Sequence, residues 1–187
     1  MSKINNTHDR GIATVCIMDT FLKKLKRNEV FIENQFHKSK VQWDEETKSN
    51  LVVSILNDYQ FPAIVIAKIV KSGFAYPYVI DGIQRINTFL EFKNNSLKIH
   101  KNSQRAIVEY VKQTQNENGE VVDKLENFDL RGKFYKDLPE ELQDIFDNYN
   151  LHIDIYSPCT EDDIKFHIKR YNSTILYFFC TDRESCK

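Results

Sequence analysis

The sequence predicts an α+β fold in which a small mixed sheet carries packed helices. Residues 63–70 form an almost continuous apolar run, rich in Ile and Val, which is typical of a strand buried on both faces. Residues 118–119 read Asn-Gly between two extended runs, which is a strong hairpin signal. Residues 142–149 place apolar side chains at helical spacing. Strand and helix periodicities in one chain indicate a sheet covered by helices.

The composition fits one packed domain of 187 residues. Lysine and arginine number 26 against 27 acidic residues, so any basic site for nucleic acid must be local. The 13 Phe and 9 Tyr favour a packed core over disorder. No apolar segment reaches the roughly 20 residues of a membrane span, which predicts a cytoplasmic protein without membrane contact. Four Cys lack C-x-x-C spacing, which predicts reduced thiols.

The N-terminal part is predicted to be a helical arm over residues 1–27, separate from the main domain. Residues 1–13 are polar and predicted to be loose. A helix from Thr14 would place its apolar residues on one stripe. Residues 30–37 have the aromatic and branched content of an extended segment.

The next elements lead to a tight turn. Asp44 is a good N-cap for a helix that continues to about Asn57. The buried strand at 63–70 and a second strand at 76–80 are close enough in sequence to form a hairpin, with a turn at 71–73.

The second half of the sequence predicts a further hairpin from residues 106–111 and 121–125. A short extended piece is then predicted over residues 130–135. Pro139 stands where the first residue of a helix is expected. Residues 151–155 alternate apolar and polar side chains, which is typical of a half-buried strand.

The last predicted helix begins after Thr160, because Asp163 follows three residues later as in a capping box. Residues 175–187 show no period and no cap, so they are predicted to be an irregular tail, consistent with a truncated chain.

The chemistry is predicted at the turn Asp81-Gly82-Ile83-Gln84-Arg85, where the second strand meets a helix. The first N–H groups of a helix and its dipole favour an anion, and Gly82 lets a ligand approach the backbone. Arg85 would hold a phosphate through two hydrogen bonds, and Asp81 would bind a cation or cap the helix. Arg85→Ala is then expected to abolish binding with little loss of stability. The alternative is an Asp N-cap with Arg85 on a solvated face.

Several short motifs, in order, resemble the N-terminal domain of the GmrSD-type modification-dependent restriction proteins, whose fold is related to ParB and sulfiredoxin. The resemblance covers residues 28–174 and rests on Gln35, Trp43, Ser54-Ile55-Leu56, Tyr59-Gln60-Phe61-Pro62, Asp81-Gly82-Ile83-Gln84-Arg85, Leu138-Pro139 and Arg170-Tyr171-Asn172. Two positions depart from the family pattern. Ile83 replaces a Gln of the turn, and Phe36-His37 stands where the family has Gln-Arg.

The resemblance implies a ParB/sulfiredoxin-like core with a strand-turn-helix phosphate site that binds NTP and Mg²⁺. Arg85 and Gly82 would contact phosphate, Asp81 would bind the metal ion or orient water, and Gln84 would position the water. Asp81, Gln84 and Arg85 are therefore the predicted catalytic residues. His37 would replace the missing Arg in part.

Arg170 and Asn172 are predicted to come back over the same pocket, and the alternative for both is a helix C-terminal cap. The resemblance implies an NTP-binding domain, incomplete at its C-terminal side, that controls DNA cleavage. Hydrolysis by the chain itself is left open, and a separate subunit or domain would supply the nuclease. Two alternatives are a ParB-like DNA-associated regulatory module and a non-functional gene fragment.

Overall fold

The computed structural model describes residues 11–32 and 42–179, with side chains through residue 171. Its strands are β1 (Gly11–Ile17), β2 (Ile64–Lys71), β3 (Phe74–Asp81), β4 (Ile107–Gln115), β5 (Val121–Asp129) and β6 (Asn150–Cys159). Its α-helices are α1 (Met18–Lys26), α2 (Glu45–Leu56), α3 (Ile83–Lys93), α4 (Glu140–Asp147) and α5 (Glu161–Phe179). This arrangement confirms the predicted α+β class.

The main sheet has four strands in the order β1-β6-β2-β3. β2 pairs with β6 in parallel, whereas β1–β6 and β2–β3 are antiparallel, so the sheet is mixed as predicted. The predicted hairpin of residues 63–70 and 76–80 is confirmed as β2 and β3. The strands β4 and β5 form a separate two-stranded sheet around Asn118-Gly119, which confirms the second predicted hairpin.

Helices cover both faces of the main sheet. On one face, α1 to α4 bury residues such as Phe21, Phe89 and Phe146 against β2, β3 and β6. On the other face, α5 buries Ile164 against a smaller group that includes Val65 and Ile80. Because side chains alternate along a strand, β2 supplies both groups. This explains why its sequence is apolar almost without interruption.

Two predicted helix starts are confirmed by their capping bonds. Asp44 caps α2, because its Oδ1 accepts a hydrogen bond of 2.7 Å from the Thr47 backbone N–H. Thr160 and Asp163 form the predicted exchange at the start of α5, where the Thr160 N–H donates to Asp163 Oδ2 at 2.8 Å. The Asp163 N–H donates back to Thr160 Oγ1 at 3.2 Å.

The N-terminal prediction differs from the structure. A strand, β1, occupies Gly11–Ile17, and the helix begins at Met18 rather than at Thr14. The partner of β1 is β6, which lies more than a hundred residues later in the sequence, so local periodicity gives no sign of the pairing. Met18 and Phe21 are fully buried in the main core. The described part of residues 1–27 is therefore built into the domain and is not a separate helical arm.

Two further segments also differ from the prediction. Residues 130–135 form no strand. The Lys133 N–H donates to the Leu130 carbonyl in a turn, the Gly132 N–H donates to the Ile99 carbonyl, and a 3₁₀ helix follows at Tyr135–Asp137. Residues 175–179 continue α5 instead of forming an irregular tail. Residues 180–187 lie outside the described part of the chain.

A short extended piece precedes α2. Phe31 forms a parallel bridge with Tyr78 of β3, which supports the extended conformation that the sequence predicted from residue 30. Within the described ranges, the chain contains no helix that is both long enough and apolar enough to cross a membrane.

Substitution of Phe89 tests the packing of the core beneath α3. Its side chain is fully buried and its ring centroid lies 5.7 Å from that of Phe61. Phe89→Ala should lower the free energy of unfolding by about 3–5 kcal/mol through lost burial and a cavity, measured by urea denaturation. Phe166 is mostly exposed, so Phe166→Ala should change stability by less than about 0.5 kcal/mol. Equal losses in the two variants would contradict this description of the core.

Candidate functional site at the β3–α3 turn

A β-bulge sets up the turn at the end of β3. Val65 lies opposite Asp81 and Ile66 lies opposite Val79, so Ile80 is an extra residue on the β3 side. Bulges bend a strand and re-aim the side chains that follow, and they are frequent beside active sites. Here the bulge directly precedes the predicted site.

Gly82 starts α3 in a conformation that other residues rarely adopt. Its φ angle is +99° and it lies at the N-cap position, where no side chain caps the helix. The first backbone N–H groups of α3 have no acceptor within the helix. A Cβ at Gly82 would collide with Ile64 Cδ1 and come within 3.2 Å of Arg85 Nη2. Both the backbone and the packing therefore require glycine at this turn.

Arg85 is buried behind the turn. Its Nη2 donates to Asp81 Oδ2 at 2.7 Å and to the Ala63 carbonyl at 3.3 Å, and its Nη1 donates to the Pro62 carbonyl. Only 9% of its side chain is exposed. Burial lowers the pKa of the guanidinium, and the charge and hydrogen bond of Asp81 oppose this change. An arginine stays protonated despite such a shift, so the site holds a buried ion pair.

These contacts change what the sequence led us to expect of Arg85. Three protein oxygens already accept hydrogen bonds from its guanidinium, and Phe61 lies beneath it with a ring centroid 5.8 Å from Cζ. We therefore expect Arg85→Ala to cost much more stability than the sequence suggested, because the variant would leave Asp81 and two carbonyls without their donor.

Asp81 lies between the buried arginine and the solvent. Its side chain remains 26% exposed while Oδ2 accepts from Arg85. In the described part of the chain, no group of three or more His, Cys, Asp or Glu side chains is arranged to hold a metal ion. Mg²⁺ often uses one or two carboxylates together with substrate phosphates, and Asp81 fits this kind of site.

Gln84 lies on the first turn of α3 and is only partly buried. Its Oε1 accepts a long hydrogen bond, 3.5 Å, from the backbone N–H of Trp43. This contact joins the segment before α2 to the β3–α3 turn. The structure therefore brings together Asp81, Gly82, Gln84 and Arg85.

Arg170 and Asn172 belong to α5, which packs on the face of the sheet opposite α3. The Tyr171 hydroxyl lies 2.9 Å from that of Tyr156, so this part of α5 has returned along β6. Arg170 is exposed. The side chain of Asn172 and all of His37 lie outside the described part, so their predicted roles stay predictions.

The sequence did not identify several groups that hold the turn. The carbonyls of Pro62 and Ala63 accept from Arg85, and Phe61 stacks on Tyr149 with ring centroids 5.4 Å apart. The chain break at Tyr59-Gln60-Phe61-Pro62 was visible as a motif, but carbonyl acceptors have no sequence signature. They become visible only when the segment is placed beside α3.

Arg85→Ala should lower the free energy of unfolding by about 3–5 kcal/mol, because it leaves a carboxylate and two carbonyls without their donor. Chemical denaturation followed by circular dichroism measures the loss. Arg131→Ala is the matched control, because Arg131 pairs with Asp129 at the surface at 2.7 Å, and it should cause no measurable loss. Similar stabilities for both variants would contradict the buried network.

Gly82→Ala should destabilise the protein more than Gly119→Ala. Both glycines have positive φ, so the backbone costs about 1–2 kcal/mol in each variant. Only Gly82 lacks room for a methyl group, which adds roughly 1–3 kcal/mol, whereas the space at Gly119 is open. Urea midpoints of the two variants test this, and an equal loss would show that Ile64 moves aside freely.

Comparison with known proteins identifies a family for this chain. A family model described as the GmrSD restriction endonuclease, N-terminal domain, matches residues 19–185. No curated protein and no solved structure gives a match. The matched range contains the β3–α3 turn and the main-sheet strands β2, β3 and β6. Because the match covers most of the sequence, the chain belongs to the GmrSD restriction endonuclease N-terminal domain family.

Proposed function

We propose that this domain binds a nucleoside triphosphate with Mg²⁺ at the β3–α3 turn, within a restriction system that acts on DNA. The observation that carries the proposal is the pairing of a helix start without a side-chain cap and a partly exposed carboxylate at one turn. The first feature favours phosphate and the second favours a metal ion bound to that phosphate. Family membership supports the link to restriction.

The phosphate side of the proposal rests on the backbone. Gly82 has no side chain to shield the first N–H groups of α3, and its left-handed conformation directs the chain sharply from strand to helix. Backbone donors at a helix start attract anions without a cationic side chain in direct contact. This chain therefore does not need a freely accessible arginine to bind phosphate.

The metal side of the proposal rests on Asp81. Its exposed surface leaves room for a cation, and its Oδ2 is held in place by the 2.7 Å bond from Arg85. Arg85 is a positioning residue here, because it orients the carboxylate rather than the ligand. Asp81 balances the positive charge of Arg85. When a cation also binds that carboxylate, the site has a net positive charge, which would attract phosphate.

The remaining residues extend the same proposal. Gln84 lies on the first turn of α3, where its amide would position water or a phosphate oxygen. We also propose secondary contacts of the ligand with His37 and Asn172, and with Arg170 from the part of α5 that returns along β6. Bound nucleotide would be hydrolysed slowly with Mg²⁺, and turnover would control DNA cleavage by a separate nuclease subunit or domain. Phosphoryl transfer depends mainly on positioning and charge, which such a turn supplies.

Thermal melts with and without each NTP test this proposal. With Mg²⁺ and ligand at about a hundredfold over its dissociation constant, binding adds about 2.7 kcal/mol. The Tm should then rise by roughly 5–10 °C for a domain of this size. Asp81→Asn keeps an oxygen that accepts from Arg85 but removes the charge, so it should abolish the Mg²⁺-dependent part of the rise.

Asp129→Asn is the control, because Asp129 is the last residue of β5, in the other sheet, and pairs with the exposed Arg131. It should preserve the full shift. A wild-type protein that melts cleanly with no shift for any NTP would overturn the proposal. A Mg²⁺-dependent rise in Tm that persists unchanged in Asp81→Asn would show that the metal ion does not bind at this turn.

A further inference from the structure

The strand β1 is an edge of the main sheet. It pairs with β6 on one side, and no strand in the described part of the chain pairs with its outer side. Its seven residues, Gly-Ile-Ala-Thr-Val-Cys-Ile, include no charged residue and no proline. Three of its larger apolar side chains are exposed, namely Ile12, Val15 and Ile17. Natural edge strands usually carry charges, proline or bulges that prevent pairing with another chain, and β1 has none of these.

The hydrogen bonds of β1 show which backbone groups face outward. Met18 donates its N–H to the Tyr149 carbonyl at 2.9 Å, and Ile17 lies opposite Asn150. Hydrogen-bonded pairs alternate along an antiparallel ladder, so Ile12, Thr14 and Cys16 bond to β6. The N–H and C=O groups of Gly11, Ala13 and Val15 therefore point away from the sheet, as does the N–H of Ile17. The Ile17 carbonyl is at the N-cap of α1 and accepts the first hydrogen bond of that helix.

The other strand edges are protected. β3 carries Pro77 and is partly covered by the bridge between Phe31 and Tyr78. Residues 107–129, which form the β4–β5 sheet, contain six acidic and two basic residues. Two copies of that hairpin would repel each other. At the β1 edge, pairing with a second copy of the chain would bring no like charges together.

We propose that β1 pairs antiparallel with β1 of a second copy of this chain, around a twofold axis at Thr14. In this register Gly11 lies opposite Ile17 of the partner and Ala13 lies opposite Val15 of the partner. Ala13 and Val15 exchange both N–H···O bonds, and the Ile17 N–H donates to the Gly11 carbonyl of the second copy. The two sheets become one continuous sheet, and the contact is isologous, as in most dimers.

The choice of a second copy follows from the strand itself. A strand without charges opposes its own copy without electrostatic cost, and the register about Thr14 forms six backbone N–H···O bonds. A contact of one strand against another is small, so the dimer should be weak and depend on concentration. β1 and β3 are opposite edges of the sheet, so dimerisation leaves the β3–α3 turn accessible. The inference is therefore independent of nucleotide binding.

Sedimentation velocity of the full chain from about 1 µM to about 1 mM tests the dimer, since weak contacts have dissociation constants in this range. The wild-type protein should shift from monomer to dimer across the range. Val15→Pro removes an outward N–H but none of the N–H groups that bond to β6, so the fold should be kept. Its dissociation constant should rise about thirtyfold, equal to about 2 kcal/mol for the two bonds lost by symmetry.

Val15→Lys provides a second variant, because a lysine on the edge opposes close pairing. Its control is Val111→Lys on β4, where the valine is 48% exposed against 53% for Val15. Val15→Lys should abolish the dimer, while Val111→Lys should leave it unchanged. Circular dichroism confirms that each variant is folded. A wild-type protein that stays monomeric throughout, or a dimer that both lysine variants weaken equally, would overturn the proposal.

Discussion

The buried guanidinium of Arg85 is the contact on which the geometry of the β3–α3 turn depends. It joins the carboxylate at the end of β3 to the two carbonyls that precede β2. The three acceptors lie in two segments, residues 62–63 and Asp81, which are more than 15 residues apart in the sequence. No other contact described at the turn joins all three acceptors. A buried cation is unfavourable unless it is fully paired, so the position of each segment is constrained by the others. The bulge at Ile80 and the left-handed Gly82 then follow, because Asp81 must face the guanidinium as α3 begins.

Because of this constraint, the site has two layers with different roles. The buried Arg85 guanidinium and the two carbonyls that it contacts form an inner layer, and Asp81 is the boundary with solvent, with a quarter of its side chain exposed. The outer layer consists of Asp81, the start of α3 and the side chain of Gln84. In our account the ligand meets the outer layer only. We therefore expect Arg85 to act through the carboxylate that it holds, so that its loss removes ligand binding and stability together.

Much of the fold could be predicted from the sequence, because β2, α2, α4 and the two hairpins depend on local patterns. Asp44 and the pair of Thr160 and Asp163 also signalled helix starts that the structure confirms. β1 could not be predicted, since its partner β6 is distant in sequence and Thr14 lies next to a good helical stripe. The motif predicted the strand, turn and helix on which Asp81, Gly82, Gln84 and Arg85 lie. It could not show that Arg85 is buried, because the same sequence motif is compatible with an exposed arginine and with one enclosed by backbone carbonyls.

We expect the outer layer of the β3–α3 turn to bind nucleotide through backbone N–H groups. An NMR titration of amide ¹H–¹⁵N signals with NTP and Mg²⁺ measures this binding residue by residue. The largest shifts should occur at Gly82, Ile83 and Gln84, with saturation at one ligand per chain. Smaller shifts should follow at Trp43, whose N–H contacts Gln84. Saturable shifts centred elsewhere, with the amides of Gly82 to Gln84 unmoved, would contradict it.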